Sequence, residues 1–159
     1  MRDTIVPQVV TFRLGEDLFA ADIYCVERVL RYQKPTPVPN VPEWVEGVIE
    51  YQSRVVPVVD LRERFGLERS AARPETRTII FALDEDWVAA RVDSVLEVVS
   101  LGSQQLSPPP PLFRGLAAEY LRGILRMGER LIVFLDVPRL LSSTDRLMLR
   151  EAAEALVDV

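Results

Sequence analysis

The chain has 159 residues, 48% of them apolar, and a formal net charge of −5 at pH 7. That length suits one domain, or two intimate half-domains, with a real core. The acidic balance argues against a nucleic-acid partner, which demands a basic face, and against adsorption to anionic membranes. Histidine is absent and cysteine occurs once, which excludes a Ser-His-Asp or Cys-His pair, histidine metal ligands and an internal disulfide.

Met1-Arg2-Asp3-Thr4 lacks the apolar stretch of a signal peptide. Every apolar run is strand-length, too short to span a bilayer, so a soluble, cytoplasmic protein is expected. Val9–Leu14 alternates, reaches the turn signal Gly15-Glu16-Asp17 and resumes at Leu18–Ala21, which reads as a β-hairpin. Ile23–Arg31 is rich in β-branched residues and reads as a further strand. It contains Cys25, which reads as a packed core thiol, since a reactive thiol needs an electropositive, accessible site. Pro35, Pro37, Pro39 and Pro42 fall within one short segment, read as an extended loop without a ladder. Glu43-Trp44-Val45 is expected to form a helical turn stopped by Gly47.

Val48–Tyr51 and Val55–Leu61 read as strands around a turn at Gln52-Ser53. Pro57 cannot donate to a ladder and implies an edge or a bulge there. Arg62–Leu67 reads as a short helical turn or loop, and Glu68–Glu75 as a connector. Thr78–Leu83 opens a second unit, with a turn at Asp84-Glu85-Asp86. A loop follows at Gln104–Pro111, and Ile124–Met127 and Leu131–Asp136 make a second hairpin. In the tail, Leu149, Ala152, Ala153 and Leu156 fall at helical spacing and Thr144 can cap the helix. Such a helix either docks on the body or engages a partner.

The order of elements repeats. Phe12–Leu30 lies over Phe81–Val99 without a gap, so that Glu16-Asp17 meets Glu85-Asp86 and Val26 and Val29 meet Val95 and Val98. Glu43–Leu61 lies over Glu119–Val137, where Gly47 meets Gly123, Arg54 meets Arg130 and Asp60 meets Asp136. One unit is therefore built twice, over about residues 8–67 and 77–142, followed by a tail at 143–159. Several strands are apolar on both faces, among them Val55–Val59 and Leu131–Leu135. One face can fill a barrel and the other needs covering. The expectation is an all-β protein: two small barrels packed face to face through a shared apolar interface, plus a C-terminal amphipathic helix.

The repeat also weighs on candidate chemistry. Asp60 and Asp136 could be paired carboxylates or a phosphoacceptor. One in each repeat reads instead as a strand-ending aspartate that hydrogen-bonds the following turn. Asp84-Glu85-Asp86 lacks the spacing of a calcium loop and reads as a solvated hairpin tip. Trp44 and Tyr120 occupy equivalent positions and read as plugs under the proline loops, with an exposed anchor as the alternative. Pro108–Pro111 reads as a connecting loop rather than a polyproline ligand. Gly47 and Gly123 mark a turn needing positive φ or close packing.

Leu14-Gly15, Val26 and Val29, Pro39 to Pro42, Gly47-Val48-Ile49, Val55–Arg62 (VVPVVDLR) and Phe65-Gly66-Leu67, taken in order, resemble the first half of the CheW-like chemotaxis coupling proteins. Val92–Val99 (VDSVLEVV), a proline loop, Tyr120–Ile124 and Leu135-Asp136 resemble their second half, so the likeness covers about residues 8–142. It implies two SH3-like five-stranded β-barrel subdomains around a common core, and a non-enzymatic adaptor with no cofactor. It implies as partners the regulatory domain of a CheA-type histidine kinase, the cytoplasmic tip of a methyl-accepting chemoreceptor, and other CheW-like domains. A groove between the subdomains would meet the receptor. Carried over by position, its residues are Val26, Arg28, Val29, Gly47, Gln52, Ser53, Val95 and Val98. The family usually has Asn-Leu-Arg-Gly where this chain has Glu50-Tyr51-Gln52-Ser53, and it is often acidic at Arg28. Those departures keep a second expectation open, a scaffold or modulator that binds kinase or CheW-like domains without receptors. An enzyme using Asp60, Asp136 or Cys25 is the remaining alternative.

Overall fold

Alternation and a left-handed turn residue make the first hairpin. In the computed structural model, which describes residues 8–101, 105–109, 112–113, 116–140 and 143–157, β1 (Gln8–Leu14) and β2 (Asp17–Asp22) pair antiparallel. Their register runs from Val9 opposite Asp22 to Leu14 opposite Asp17. Gly15 holds the turn at φ 63°. A 3₁₀ turn at Ile23–Cys25 follows, capped by Asp22, whose carboxylate accepts the Tyr24 N–H at 3.0 Å. Strand β3 is therefore Val26–Arg31, shorter than the expected Ile23–Arg31, because the Asp22 side chain gives the backbone a local alternative to the ladder.

A second hairpin joins β4 (Val45–Tyr51) to β5 (Arg54–Asp60). The helical turn expected over Glu43-Trp44-Val45 is instead a tight turn, closed by the Val45 N–H on the Pro42 carbonyl at 3.0 Å, and the strand starts at Val45. Helix α1 (Leu61–Arg64) is capped by Asp60. The remaining elements are β6 (Arg77–Leu83), β7 (Asp86–Val92), β8 (Ser94–Ser100), β9 (Gln105–Ser107), β10 (Leu112–Phe113), β11 (Leu116–Ala117), β12 (Leu121–Met127), β13 (Arg130–Leu135), α2 (Val137–Leu140) and α3 (Ser143–Val157). Thr144 thus lies inside the first turn of α3 rather than ahead of it. Pro110 and Pro111 lie outside the described residues.

The sheets and the sequence repeats divide the chain differently. One sheet runs β8-β1-β2-β13-β12-β9 and the other β3-β6-β7-β5-β4. Each takes the leading hairpin of one repeat and the remaining strands of the other. The exchange is symmetric: β2 meets β13 in parallel with Ala20 opposite Phe134, and β7 meets β5 in parallel with Ala89 opposite Val58. Equivalent ladder irregularities recur, in β4 between Val45 and Gly47 and in β12 between Leu121 and Gly123. Pro57 sits opposite Val48, one residue before β5 gains β7 as its second neighbour, the edge position a strand proline requires.

Both proline loops make ladder bonds that composition alone argues against. Thr36 stands between two prolines but keeps its own N–H and C=O, and exchanges bonds of 2.9 Å each with Val48. In the second half β9 precedes the prolines and pairs with β12, placing Ser107 opposite Ile124 at the equivalent position. This gives that sheet its sixth strand.

Three apolar clusters account for the two-sided strands. The central one lies between the sheets and includes Phe12, Leu14, Phe19, Val59, Ile79, Phe81, Val133 and Leu135. Behind the six-stranded sheet are Val9, Leu18, Leu125, Ile132 and Phe134, and behind the five-stranded sheet Val56, Val58, Ile80 and Ala89. Full burial of such side chains contributes about 1.5–3 kcal/mol each. Helix α3 packs on β5. It buries Leu149 and Ala153 and is pinned by Arg146 on Asp84 at 3.1 Å and Arg150 on Asp86 at 2.7 Å. The hairpin tip expected to be merely solvated is where the helix attaches.

Candidate protein-interaction site

Strands β3 and β8 are equivalent in the repeat, and each forms one edge of its sheet. On β3, Val26 lies opposite Phe81, Arg28 opposite Ile80 and Val29 opposite Ile79. On β8, Val95 lies opposite Phe12 and Val98 opposite Val10. Val26 and Val95 turn inward and pack on the central cluster. Val29 and Val98 are 37% and 52% exposed, and Arg28 is exposed beside them. Tyr24, at 73%, and Leu96, at 41%, add exposed apolar surface next to the same two strands. Both were missed from sequence, because a residue in an apolar run gives no local sign of which side faces solvent.

Gly47 lies elsewhere, on β4 at the far end of the sheet order from β3, and Gln52 and Ser53 form the turn that joins β4 to β5. Gly47 has φ 148°, and a Cβ built on it would stand 2.1 Å from the Thr36 carbonyl oxygen. It thus meets both the conformational and the packing demand. Gly123 meets only the second: its Cβ would lie 2.6 Å from the Ser107 oxygen. Gln52 and Ser53 both take left-handed conformations, with φ 47° and 63°, as a two-residue hairpin turn of this twist requires.

Charged side chains fix the sheets relative to each other. Arg62 of α1 forks onto Asp93 at 2.6 to 3.2 Å, and Asp93 also accepts the Gly15 N–H at 2.6 Å. The six-stranded sheet's first turn is thereby tied to the loop between β7 and β8. Burial pushes the Asp93 carboxyl up, but the Arg62 and Gly15 hydrogen bonds outweigh it and hold it below its usual range. A second pair occurs twice with its signs exchanged: Glu46 on β4 holds Arg91 at 2.8 Å, and Arg122 at the equivalent place on β12 approaches Asp22 at 3.5 Å.

The proposed catalytic alternatives find structural roles. Asp60 accepts the Arg62 N–H at 3.0 Å and Asp136 the Arg139 N–H at 3.3 Å, as strand-ending caps do. Burial first, and then the Asp22 carboxylate, raise the Cys25 thiol above its usual value, which suppresses the reactive thiolate. Trp44 and Tyr120 are partly buried against the central cluster. Their carbonyls accept the N–H groups of Asp60 and Asp136 at 2.7 and 2.8 Å. Among the described residues no group of three or more His, Cys, Asp or Glu side chains is placed to hold a metal ion.

The CheW-like domain family matches residues 8–145. The chain belongs to that family. It is 30% identical over 153 residues to the chemotaxis protein CheW of Klebsiella aerogenes, covering 96% of this chain and 92% of that one. It is 29% identical over 142 residues to the CheW of Treponema pallidum, covering 87% and 84%. The crystal structure of the scaffolding protein CheW from Thermoanaerobacter tengcongensis superposes with a TM-score of 0.80 at 27% identity, covering 91% of this chain and 93% of that one. This CheW-like chain is thus a member of a chemotaxis scaffold and adaptor family, built from two exchanged sheets that leave β3 and β8 as open edges.

Proposed function

We propose that this chain is a non-catalytic cytoplasmic adaptor. It links the cytoplasmic tips of methyl-accepting chemoreceptors to the regulatory domain of a CheA-type histidine kinase through protein–protein contacts, and it is recruited to membrane-associated receptor arrays. The observation that carries the reading is the pair of equivalent edge strands with exposed Val29 and Val98 over inward Val26 and Val95, in a chain of the CheW-like family. Such edges supply apolar anchors and unpaired backbone groups to a partner. Val26, Arg28, Val29, Val95 and Val98 are assigned to the receptor contact, with Gly47, Gln52 and Ser53 shaping the hairpin at the other end of the five-stranded sheet.

A second reading is favoured by one specific feature. By the resemblance, Gln52 stands where the family usually has arginine, and Ser53, in a left-handed conformation, stands where it usually has glycine. A modulator that binds kinase or CheW-like domains without receptors would follow from a disabled hairpin. Restoring arginine and glycine together separates the two: unchanged receptor binding removes the support for the modulator, and a gain of receptor binding establishes it. No helix among the described residues is long and apolar enough to cross a membrane.

A further inference from the structure

The internal repeat exposes a difference between the two sheets that neither sheet shows alone. In the five-stranded sheet, the outer end of the cluster under β5 and β7 is closed by two aromatic rings, Tyr51 and Trp87, 5.3 Å apart between centroids. The Arg54 guanidinium lies over the Trp87 ring at 3.9 Å. The equivalent residues of the six-stranded sheet are Met127, Leu18 and Arg130, and Met127 lies opposite Arg130 as Tyr51 lies opposite Arg54. Neither replacement carries a ring, and a cavity of about 290 Å³ opens there. Its walls are Leu18, Leu96, Val99, Met127 and Ile132, with Arg130 and the exposed Glu97 at the rim. Thr11 also lines it, but its hydroxyl is already engaged with the Glu97 backbone, donating at 2.8 Å and accepting at 3.1 Å. The cavity therefore offers apolar walls and, at its mouth, one cation and one carboxylate. An apolar cavity of about 150 Å³ is enough for a benzene-sized ring.

We propose that this cavity receives a large aromatic side chain from a protein partner, which occupies the place that Trp87 fills in the other sheet, with Arg130 closing over it as Arg54 closes over Trp87. The commitment to an aromatic ring rests on the occupant of the equivalent site. The commitment to a protein partner rests on the cavity's position: it opens on the edge strand β8 beside Leu96, which is 41% exposed and belongs to the apolar surface already described. The site stands whether or not receptors and kinase are the partners of that edge.

The test uses the full chain and N-acetyl-tryptophanamide, followed by methyl NMR of Leu18, Leu96, Val99, Met127 and Ile132. Saturable shifts at these methyls in the low-millimolar range are expected, as for one isolated side chain, with the cyclohexylalanine analogue at least several-fold weaker. Arg130→Ala, at an exposed rim residue, should weaken binding about two- to five-fold through loss of the cation–π contact. Leu18→Trp should abolish binding while the protein keeps its fold and melting temperature, because the new ring fills the site from within. Absence of shifts up to about 10 mM overturns the proposal. So does equal binding of the cyclohexyl analogue, unchanged binding in Arg130→Ala, or unchanged binding in a folded Leu18→Trp protein. Sub-micromolar binding of free indole would also overturn it, since the site would then belong to a small molecule rather than a side chain.

Discussion

Gly47→Ala should be among the most damaging single-methyl changes in this protein, and its cost can be worked from the structure. The added Cβ would stand 2.1 Å from the Thr36 oxygen and 2.7 Å from the Thr36 carbonyl carbon, both backbone atoms that cannot rotate away. The proline loop must retreat by about an ångström, which breaks the two Thr36–Val48 hydrogen bonds, about 1 kcal/mol each. The φ of 148° adds about 1–3 kcal/mol of backbone strain for any residue with a Cβ. A loss of about 3–5 kcal/mol follows, a fall in melting temperature of about 10–15 °C for a chain of this size. Gly66→Ala is the control. Gly66 has φ 75° with nothing within 4 Å of the added Cβ, so it bears only the conformational cost, about 1–2 kcal/mol. Urea unfolding of both variants measures the difference. A Gly47→Ala cost no larger than that of Gly66→Ala would refute the reasoning that the glycine exists to admit Thr36.

Four further outcomes are expected. Ser53→Gly relieves a left-handed serine and should raise the melting temperature by about 2–4 °C; a decrease would mean that the serine makes a contact the backbone argument omits. Leu149→Ala should cost about 2–5 kcal/mol by urea unfolding, since the side chain is 1% exposed under α3; a negligible loss would mean the helix is not docked in solution. Asp93 is held below its ordinary value of 3.8. Its contribution is therefore complete above that value and is lost as pH falls through the lower folded value. Stability measured from pH 6 to 2 should decline less steeply in Asp93→Asn, whose loss at neutral pH should be about 1–3 kcal/mol; equal acid slopes would contradict the assignment. Val29→Lys and Val98→Lys should leave stability within about 1 kcal/mol while weakening partner binding at least about tenfold, as read by calorimetry.

Local chemistry was legible, and long-range pairing was not. Gly15, Asp60 and Pro57 each announce a turn, a cap or an edge through a constraint carried by the residue itself. The two-sided apolar strands required cover on both faces, and the three clusters provide it. The exchange of strands between sheets left no local trace, because β3 would satisfy its hydrogen bonds equally well beside β1 or β6. Only the packing of the whole decides which. The proline loop was misjudged at Thr36, since composition counts prolines but not the one residue between them that keeps both backbone groups. Tyr24 beside Cys25 shows the same limit in the candidate site: two neighbours in one apolar run, one 73% exposed and the other half-buried, both within a short 3₁₀ turn that Asp22 caps. The Arg62–Asp93 clamp spans the two repeats, so no window along the chain contains it.

The adaptor reading stands or falls on simultaneous engagement of two partners. The decisive measurement is calorimetric titration of the full chain with an isolated kinase regulatory domain and, separately, with a receptor hairpin tip, repeated with Val29→Lys and Val98→Lys. The account predicts binding to both partners, with receptor binding lost in the two variants and kinase binding retained. Failure to bind either partner at about 100 μM, or receptor binding indifferent to both valines, would contradict it.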